Sequence, residues 1–303
     1  MSSTVAATAG AREESGWLSA GGLWSLLCLP AGPPVAGCVL LAPLADERKS
    51  SLRPMVEIAR ALAEDGIAAL RIDYRGAGDS SGSSLETTLA SMIEDAVAAA
   101  DHLRNDLGCE RVALAGLRLG GAVALLAAER ARADAVVVME AVVDGAAYVR
   151  ELRRRQAIRR MLTKGKGAAD GDENAGGPFD LDGTALDRAF VAEMDGLDIL
   201  ETARGFPAGK VPRSFVLQVG PRRAASQANA ALADALGPGA RLAVIRAEPF
   251  WLQTGYVDPA PATREIERFL VERLLGESLQ DRSSPGRADG GAKRDMKEKT
   301  ADG

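Results

Sequence analysis

The segment Arg111–Gly121 has the sequence of a corner that presents one side chain for chemistry. A short apolar run, Val112–Leu114, leads into the motif G-L-R-L-G at Gly116–Gly120, and an alanine-rich helical pattern follows. Glycines on both sides of the central residue fit a tight turn between a strand and a helix that pack closely. A serine at the tip could attack a carbonyl carbon. The residue is Arg118, whose guanidinium stays protonated and is not a nucleophile.

The other members of a serine-based triad are also missing from the positions where they would be expected. In that arrangement an acid and then a histidine follow the serine, after the last two core strands. The predicted strand Arg213–Val219 runs into Gly-Pro-Arg-Arg, and the predicted strand Arg241–Arg246 runs into Ala-Glu-Pro-Phe-Trp. The only histidine, His102, lies within a predicted helix beside Asp101. We interpret it as a surface residue, so all three triad positions are empty.

Strand and helix patterns alternate along most of the chain. This alternation predicts a mostly parallel central sheet with helices on both faces. The first two apolar runs, joined by Pro30–Pro34, are predicted to form a hairpin. The remaining predicted elements are strands at Ile67–Ile72 and Ala135–Val143 and helices at Leu52–Ala63, Leu85–Leu107, Ala224–Leu236 and Ala262–Leu275.

The sequence predicts one core with an insertion. Residues 16–143 and 210–275 carry the alternating pattern, and residues 144–209 interrupt it with a helical lid. The lid starts with a basic helix, Tyr148–Lys166, followed by an acidic loop, Ala168–Pro178. Residues 1–15 are predicted to form a flexible arm and residues 276–303 a disordered tail.

Composition excludes several classes of function. The chain has 303 residues and a net charge of −5, so it has no general basic field for nucleic acid. Three scattered cysteines without metal spacing fit a reducing compartment, and no apolar stretch reaches the roughly 20 residues of a membrane span. With no signal-peptide pattern, we expect a cytoplasmic protein without cofactor or metal.

Charged side chains follow several predicted strands and would meet at one edge of the sheet. In the functional interpretation Arg118, beside Lys49 or Arg75, binds an anionic carboxylate or phosphate. Glu248 or Glu47 would then act as a general base. The wider set of candidates at this edge comprises Asp46, Arg48, Ser50, Asp73, Tyr74, Asp79, Ser80, Glu140, Asp144 and Trp251.

The alternative interpretation is structural. Arg118 would form a buried salt bridge with Glu248 or Glu140, which says little about catalysis. Ser50 and Trp251 are candidates for ligand contacts, although a tryptophan at a strand end is often part of the core. Ser80 is more simply part of a capped turn than a second nucleophile.

The basic helix within Tyr148–Lys166 also has two interpretations. It could contact an anionic membrane or an acidic protein partner, or it could be a solvated helix balanced by the acidic loop behind it.

Four stretches together resemble a known family. They are APLADERKSSLRPM (Ala42–Met55), RIDYRGAGDSSG (Arg71–Gly82), GLRLGG (Gly116–Gly121) and EPFW (Glu248–Trp251), and they are similar to the exosortase A system-associated hydrolase 2 group. The resemblance implies an α/β-hydrolase fold with an inserted helical lid. It also implies that the arginine at the corner belongs to the group, and that the protein acts near exopolysaccharide synthesis in bacteria. Arg48 and Leu52 depart from the family pattern.

We therefore expect an α/β-hydrolase-fold protein that lacks the Ser-His-Asp triad. It would bind or process an anionic acyl or glycan-related molecule in cell-envelope metabolism. One alternative is an inactive scaffold or regulatory pseudoenzyme whose basic lid helix contacts a protein partner. Another is an esterase or thioesterase that uses Glu-activated water, with Arg118 stabilising the oxyanion.

Overall fold

A nine-stranded sheet forms the centre of the described molecule. The structure is a computed structural model and describes residues 3–8, 11–18, 22–163, 177–181, 183–206, 212–252 and 255–276. The strands are β1 (Ser3–Thr8), β2 (Ala11–Trp17), β3 (Trp24–Leu29), β4 (Ala36–Leu41), β5 (Ile67–Ile72), β6 (Arg111–Leu117), β7 (Ala135–Met139), β10 (Arg213–Gly220) and β11 (Arg241–Arg246), while β8 (Phe179–Leu181) and β9 (Thr184–Leu186) form a separate pair.

The order across the large sheet is β1-β2-β3-β5-β4-β6-β7-β10-β11. From β5 to β11 all neighbouring strands are parallel, whereas β1, β2 and β3 join one edge in antiparallel pairs. Every residue of β4 and β7 is buried, as expected for parallel strands covered on both faces. This order places β6, which carries the corner, in the middle of the sheet.

Helices cover both faces and build a separate apolar layer on each. They are α1 (Ala45–Glu64), α2 (Leu89–Asn105), α3 (Leu119–Ala127), α4 (Gly145–Thr163), α5 (Arg188–Asp195), α6 (Ile199–Gly205), α7 (Gln227–Ala235) and α8 (Ala260–Leu270), with a 3-10 turn at Ser84–Glu86 and a π-helical segment at Val271–Leu275. The alternating pattern thus gives the predicted three layers. The helix α2 begins four residues later than predicted, because Thr88 and Ser91 form a capping box at its start.

Two predictions at the start of the chain are wrong. The expected flexible arm over residues 1–15 instead supplies β1 and most of β2. The expected hairpin does not form, because β5 lies between β3 and β4 and pairs with both. Apolar runs predict that strands form. They do not predict which strands pair, because pairing depends on the order of the whole sheet.

The helix α1 also begins earlier than expected. The helical pattern predicts a start at Leu52, but the residues before it, including Glu47 and Lys49, already form the first turns of α1. Ala45 starts the helix with a positive φ of 49°, and the acidic residues that follow suit the positive end of a helix dipole. Glu47 is consequently held in position by a helix and not by a loop.

The predicted insertion between β7 and β10 contains the helices α4, α5 and α6 and the small β8-β9 pair. Within it, the bridge between Asp144 and Asp198 and the Gly145 N–H, which donates to the Leu197 carbonyl at 2.7 Å, join the start of α4 to the segment before α6. The Ile199 N–H links the insertion to the core by donating to the Val143 carbonyl at 3.2 Å. Buried residues at the start of α4, such as Tyr148 and Val149, pack on the central core. The predicted acidic loop lies largely outside the described residues, as does the predicted tail beyond Gly276.

Candidate functional site

The corner at Arg118 has a strained backbone of the kind that exposes a side chain. Arg118 has φ 55° and ψ −118° and lies between β6 and α3. A Cβ added to Gly116 would lie 2.0 Å from the Gly120 carbonyl oxygen, and one added to Gly120 would lie 2.3 Å from that of Leu41. Both glycines are therefore required by close backbone approach, as their sequence positions predict. Strain at a residue other than glycine is typical of functional sites.

Two carboxylates hold the guanidinium of Arg118. Its Nε donates to Glu47 Oε1 at 3.2 Å, and its Nη2 donates to Glu151 Oε2 at 2.8 Å. The guanidinium carbon lies 5.2 Å from the ring centre of Tyr148 and 6.0 Å from that of Trp251. Arg118 is thus surrounded by two acids and two aromatic rings contributed by α1, α4 and the segment after β11.

Glu47 is the inner of the two acids and accepts three hydrogen bonds. Besides Arg118, its Oε1 accepts from Arg155 Nη2 at 2.6 Å, and its Oε2 accepts from the Tyr148 hydroxyl at 3.0 Å. Only 3% of the Glu47 side chain is exposed, against 43% for Glu151. A buried carboxylate needs such partners, because an unpaired charge away from water is costly. Glu47 therefore forms the fixed centre of the site.

The four charges of the site balance. Arg118 and Arg155 face Glu47 and Glu151, and Arg155 also contacts Glu151 at 3.4 Å. Burial lowers the pKa of Arg118, but the charges of Glu47 and Glu151 raise it further, so the net shift is upward. Burial, followed by the charge of Glu47, raises the pKa of Tyr148 well above its ordinary value. Arg118 stays protonated and Tyr148 remains a hydroxyl donor across the physiological range.

The triad positions carry other residues. The strand β10 ends at Gly220 and is followed by Pro221, and β11 is followed by a segment that contains Glu248 and Trp251. Trp251 is buried and packs edge-to-face on Phe250, which supports the structural interpretation of this aromatic pair as core. His102 lies on α2 and bonds to Asp106 one turn later.

The predicted pairing of Arg118 with Glu248 or Glu140 is wrong. Glu248 lines a separate cavity of about 430 Å³ together with Pro221 and Arg246. Glu140 lies near enough for the charge of Arg118 to lower its pKa, although burial raises that pKa more. Its Oε1 accepts from the Val219 N–H at 3.0 Å and thereby links the ends of β7 and β10.

The predicted ligand residues do not gather around Arg118. Lys49 pairs with Asp46 at 2.9 Å and, with Ser50, lines an open cavity of about 470 Å³ beside Tyr256. Arg75 is bound to Asp95 at 2.6 Å and to Glu94 at 2.9 Å. These ion pairs hold the Arg75 side chain, which comes from the loop after β5, against α2. Of the predicted set, the structure brings together Arg118, Glu47 and Trp251.

The glycine-rich loop after β5 is held by its own hydrogen bonds. Asp73 pairs with Arg48 and accepts from the Asp79 N–H at 3.0 Å. The Ser80 hydroxyl donates to the Asp73 carbonyl and accepts from the Trp24 N–H at 2.8 Å. This agrees with the interpretation of Ser80 as a turn residue. Within the described ranges, no three histidine, cysteine or acidic side chains lie together as metal ligands would.

Sequence reasoning missed the contribution of α4 to the site. Tyr148, Glu151 and Arg155 come from this helix and contact Arg118 or Glu47. Their spacing of three and four residues puts them on one helix face. That spacing is visible in the sequence, but the many arginines in α4 favoured a helix that faces solvent or a partner.

Comparison with known proteins agrees with this architecture. The family model of serine aminopeptidase, S33, matches residues 48–169. The chain is similar to Est1E of Butyrivibrio proteoclasticus, solved with ferulic acid bound, with 20% identity and a TM-score of 0.61 over 86% of this chain and 99% of that one. No curated protein sequence gave a significant match.

Two further structures show the same relation. The Pyrococcus furiosus esterase PF2001 has 14% identity and a TM-score of 0.56 over 87% of this chain and 91% of its own. XC6422 of Xanthomonas campestris, described as an α/β serine hydrolase without a lid, has 16% identity and a TM-score of 0.53 over 88% and 96%. The chain has the α/β-hydrolase fold. In its described part, no helix is both long and apolar enough to cross a bilayer.

Proposed function

We propose that this protein binds an anionic small molecule, such as an acyl or glycan-derived carboxylate, at Arg118 and does not use serine chemistry. The observation that carries the proposal is the unequal pair of acids on one guanidinium. Glu47 is buried and saturated with donors, whereas Glu151 is 43% exposed and reaches Arg118 from the inserted helix α4. A ligand carboxylate could therefore replace Glu151 without disturbing Glu47.

Charge supports this exchange. When Glu151 turns toward solvent, Arg118 and Arg155 face Glu47 alone, and the inner site carries one net positive charge. Arg155 also has a buried Nε without a hydrogen-bond acceptor in the part of the chain that is described. A guanidinium pair of this kind binds carboxylates through charge-assisted, often bidentate, hydrogen bonds. Tyr148 and Trp251 would supply the apolar wall beside the anion.

The same geometry supports a second candidate, an inactive scaffold or regulator. In the described site, the four paired charges and two rings occupy the elbow, which is the strand-to-helix corner at Gly116–Gly120, and other residues stand at the triad positions. A role in cell-envelope metabolism rests on the family resemblance of the sequence, and a cytoplasmic location rests on the sparse, scattered cysteines and the sequence of the N-terminus. Hydrolysis by Glu-activated water is less favoured, because Glu47 is saturated with donors and Glu248 lines another cavity.

Calorimetric titration tests the proposal. Ferulate, a medium-chain fatty acid and a uronic acid serve as carboxylate probes, each beside its neutral methyl ester. The acids should bind and the esters should not. Glu151→Gln should bind about tenfold tighter because the competing charge is gone, and Arg118→Lys at least about tenfold weaker because the planar fork is lost. Arg222→Lys, on an exposed loop, is the matched control.

The alternatives predict other outcomes. If no acid binds the wild-type protein or Glu151→Gln, the binding proposal is wrong and the scaffold remains. Turnover of short- and long-chain esters and acyl thioesters should stay at background. Turnover that disappears in Glu248→Gln while the fold survives would establish the water-based hydrolase instead.

A further inference from the structure

The inserted helix α4 has a second face that the elbow site does not use. The residues at 147, 150, 153, 154, 157, 158 and 161 follow helical spacing of three and four, and all are exposed. Tyr148, Val149, Leu152 and Gln156 lie on the opposite side and are buried. We call the exposed row the outer stripe of α4; its members are Ala147, Arg150, Arg153, Arg154, Ala157, Ile158 and Met161.

The outer stripe combines positive charge with large apolar side chains. Its first half carries Arg150, Arg153 and Arg154, and its second half presents Ile158 at 48% and Met161 at 76% exposure. It contains no acidic residue, although the chain as a whole has a net charge of −5. Glu151, the acid within the same turns, points instead to Arg118. The stripe is therefore a local reversal of the charge of the protein.

We propose that the outer stripe of α4 binds the surface of an anionic lipid bilayer. The arginines would contact lipid phosphates, and Ile158 and Met161 would enter the boundary of the acyl chains. An acidic protein segment would satisfy the arginines but offers nothing specific to two exposed apolar side chains at one end of the stripe. A bilayer presents both chemistries in adjacent layers. This inference is independent of the ligand proposed at the elbow.

Vesicle co-sedimentation of the full chain tests it. The probes are vesicles of phosphatidylcholine alone and of phosphatidylcholine and phosphatidylglycerol in equal parts. The wild-type protein should sediment with the mixed vesicles and not with the neutral ones, and added salt should weaken binding. Arg150→Glu with Arg154→Glu should reduce partitioning at least about tenfold, since each basic residue near an anionic surface adds attraction.

Two further variants separate the contributions. Arg222→Glu with Arg223→Glu makes the same change in net charge on an exposed loop and should retain binding. Ile158→Ser with Met161→Ser should weaken binding while keeping its salt dependence. Circular dichroism checks that each variant is folded.

Three results would overturn the proposal. One is equal binding to neutral and mixed vesicles, and a second is an equal loss in the loop control. The third is binding to an immobilised poly-glutamate peptide without binding to mixed vesicles, which would assign the stripe to an acidic protein.

Discussion

The elbow and the inserted helix α4 build one site by different means. At the elbow the backbone is determined by close contacts of Gly116 and Gly120 with neighbouring main chain. The helix α4 contributes side chains alone, and one of them, Glu151, is half exposed. The comparison shows that backbone contacts determine the geometry of the turn, whereas the insertion decides which side chains contact Arg118.

The largest expected effect is on the elbow backbone. In Gly120→Ala the new Cβ would lie 2.3 Å from the Leu41 oxygen and 2.5 Å from the Ala42 oxygen, and neither belongs to a movable side chain. We expect a loss of more than about 4 kcal/mol in the free energy of unfolding, or failure to fold. Gly239→Ala, with no atom within 4 Å, is the control and should change it by less than about 1 kcal/mol. Denaturant unfolding measures both; similar midpoints would contradict the argument.

The next largest expected effect is a difference in stability between variants of the two acids that contact Arg118. Glu47→Gln removes the buried carboxylate that Arg118 and Arg155 share, leaves them the half-exposed Glu151 as charged partner, and should cost about 3–5 kcal/mol. Glu151→Gln removes a partly solvated pair and should cost less than about 1 kcal/mol. Unfolding in denaturant compares the two variants directly. Equal losses would mean that Glu151 is not the exchangeable acid.

Replacing the arginine tests whether the elbow alone supports catalysis. Arg118→Ser should fold and lose about 2–3 kcal/mol, because Glu47 loses one charge-assisted hydrogen bond but keeps Arg155 and Tyr148. It should not hydrolyse nitrophenyl esters above background, since the only histidine, His102, is paired with Asp106 on α2. Serine-dependent turnover in this variant would show that another base reaches the elbow.

The smallest effect concerns Glu140 and depends on pH. Burial raises its pKa above the ordinary 4.5, against the opposing influence of the Val219 N–H and Arg118. The folded state therefore holds this proton more tightly than the unfolded state. Its stabilising contribution is complete below pH 4.5 and is lost as the pH rises through the folded pKa.

Glu140→Gln keeps the acceptor for Val219 but cannot ionise. The stability of the variant relative to the wild type should increase as the pH rises from below 4.5 toward neutrality. Thermal unfolding over this range measures the difference. A difference that does not change with pH would contradict the assignment.

Local pattern was sufficient for much of the fold. Alternating apolar runs and helical spacing predicted the parallel sheet and its covering helices. Strands that are buried on both faces consist of nearly continuous apolar residues, which are recognisable in the sequence. The glycines at 116 and 120 predicted the tight corner, and the missing serine, acid and histidine were visible without coordinates. The four stretches that resemble a known family also predicted the α/β-hydrolase fold.

Partners at long range could not be predicted in the same way. The sequence placed Glu47 and Arg118 at one sheet edge, but Glu47 lies 71 residues from Arg118, and Glu151 lies 33 residues beyond it. Their contact depends on the start of α1 at Ala45 and on how the insertion packs. The position of β5 between β3 and β4 has the same origin. Sequence determined most of the core elements and the arginine at the corner, whereas tertiary packing decided the strand neighbours and which charges meet, because both follow from the relative placement of whole elements.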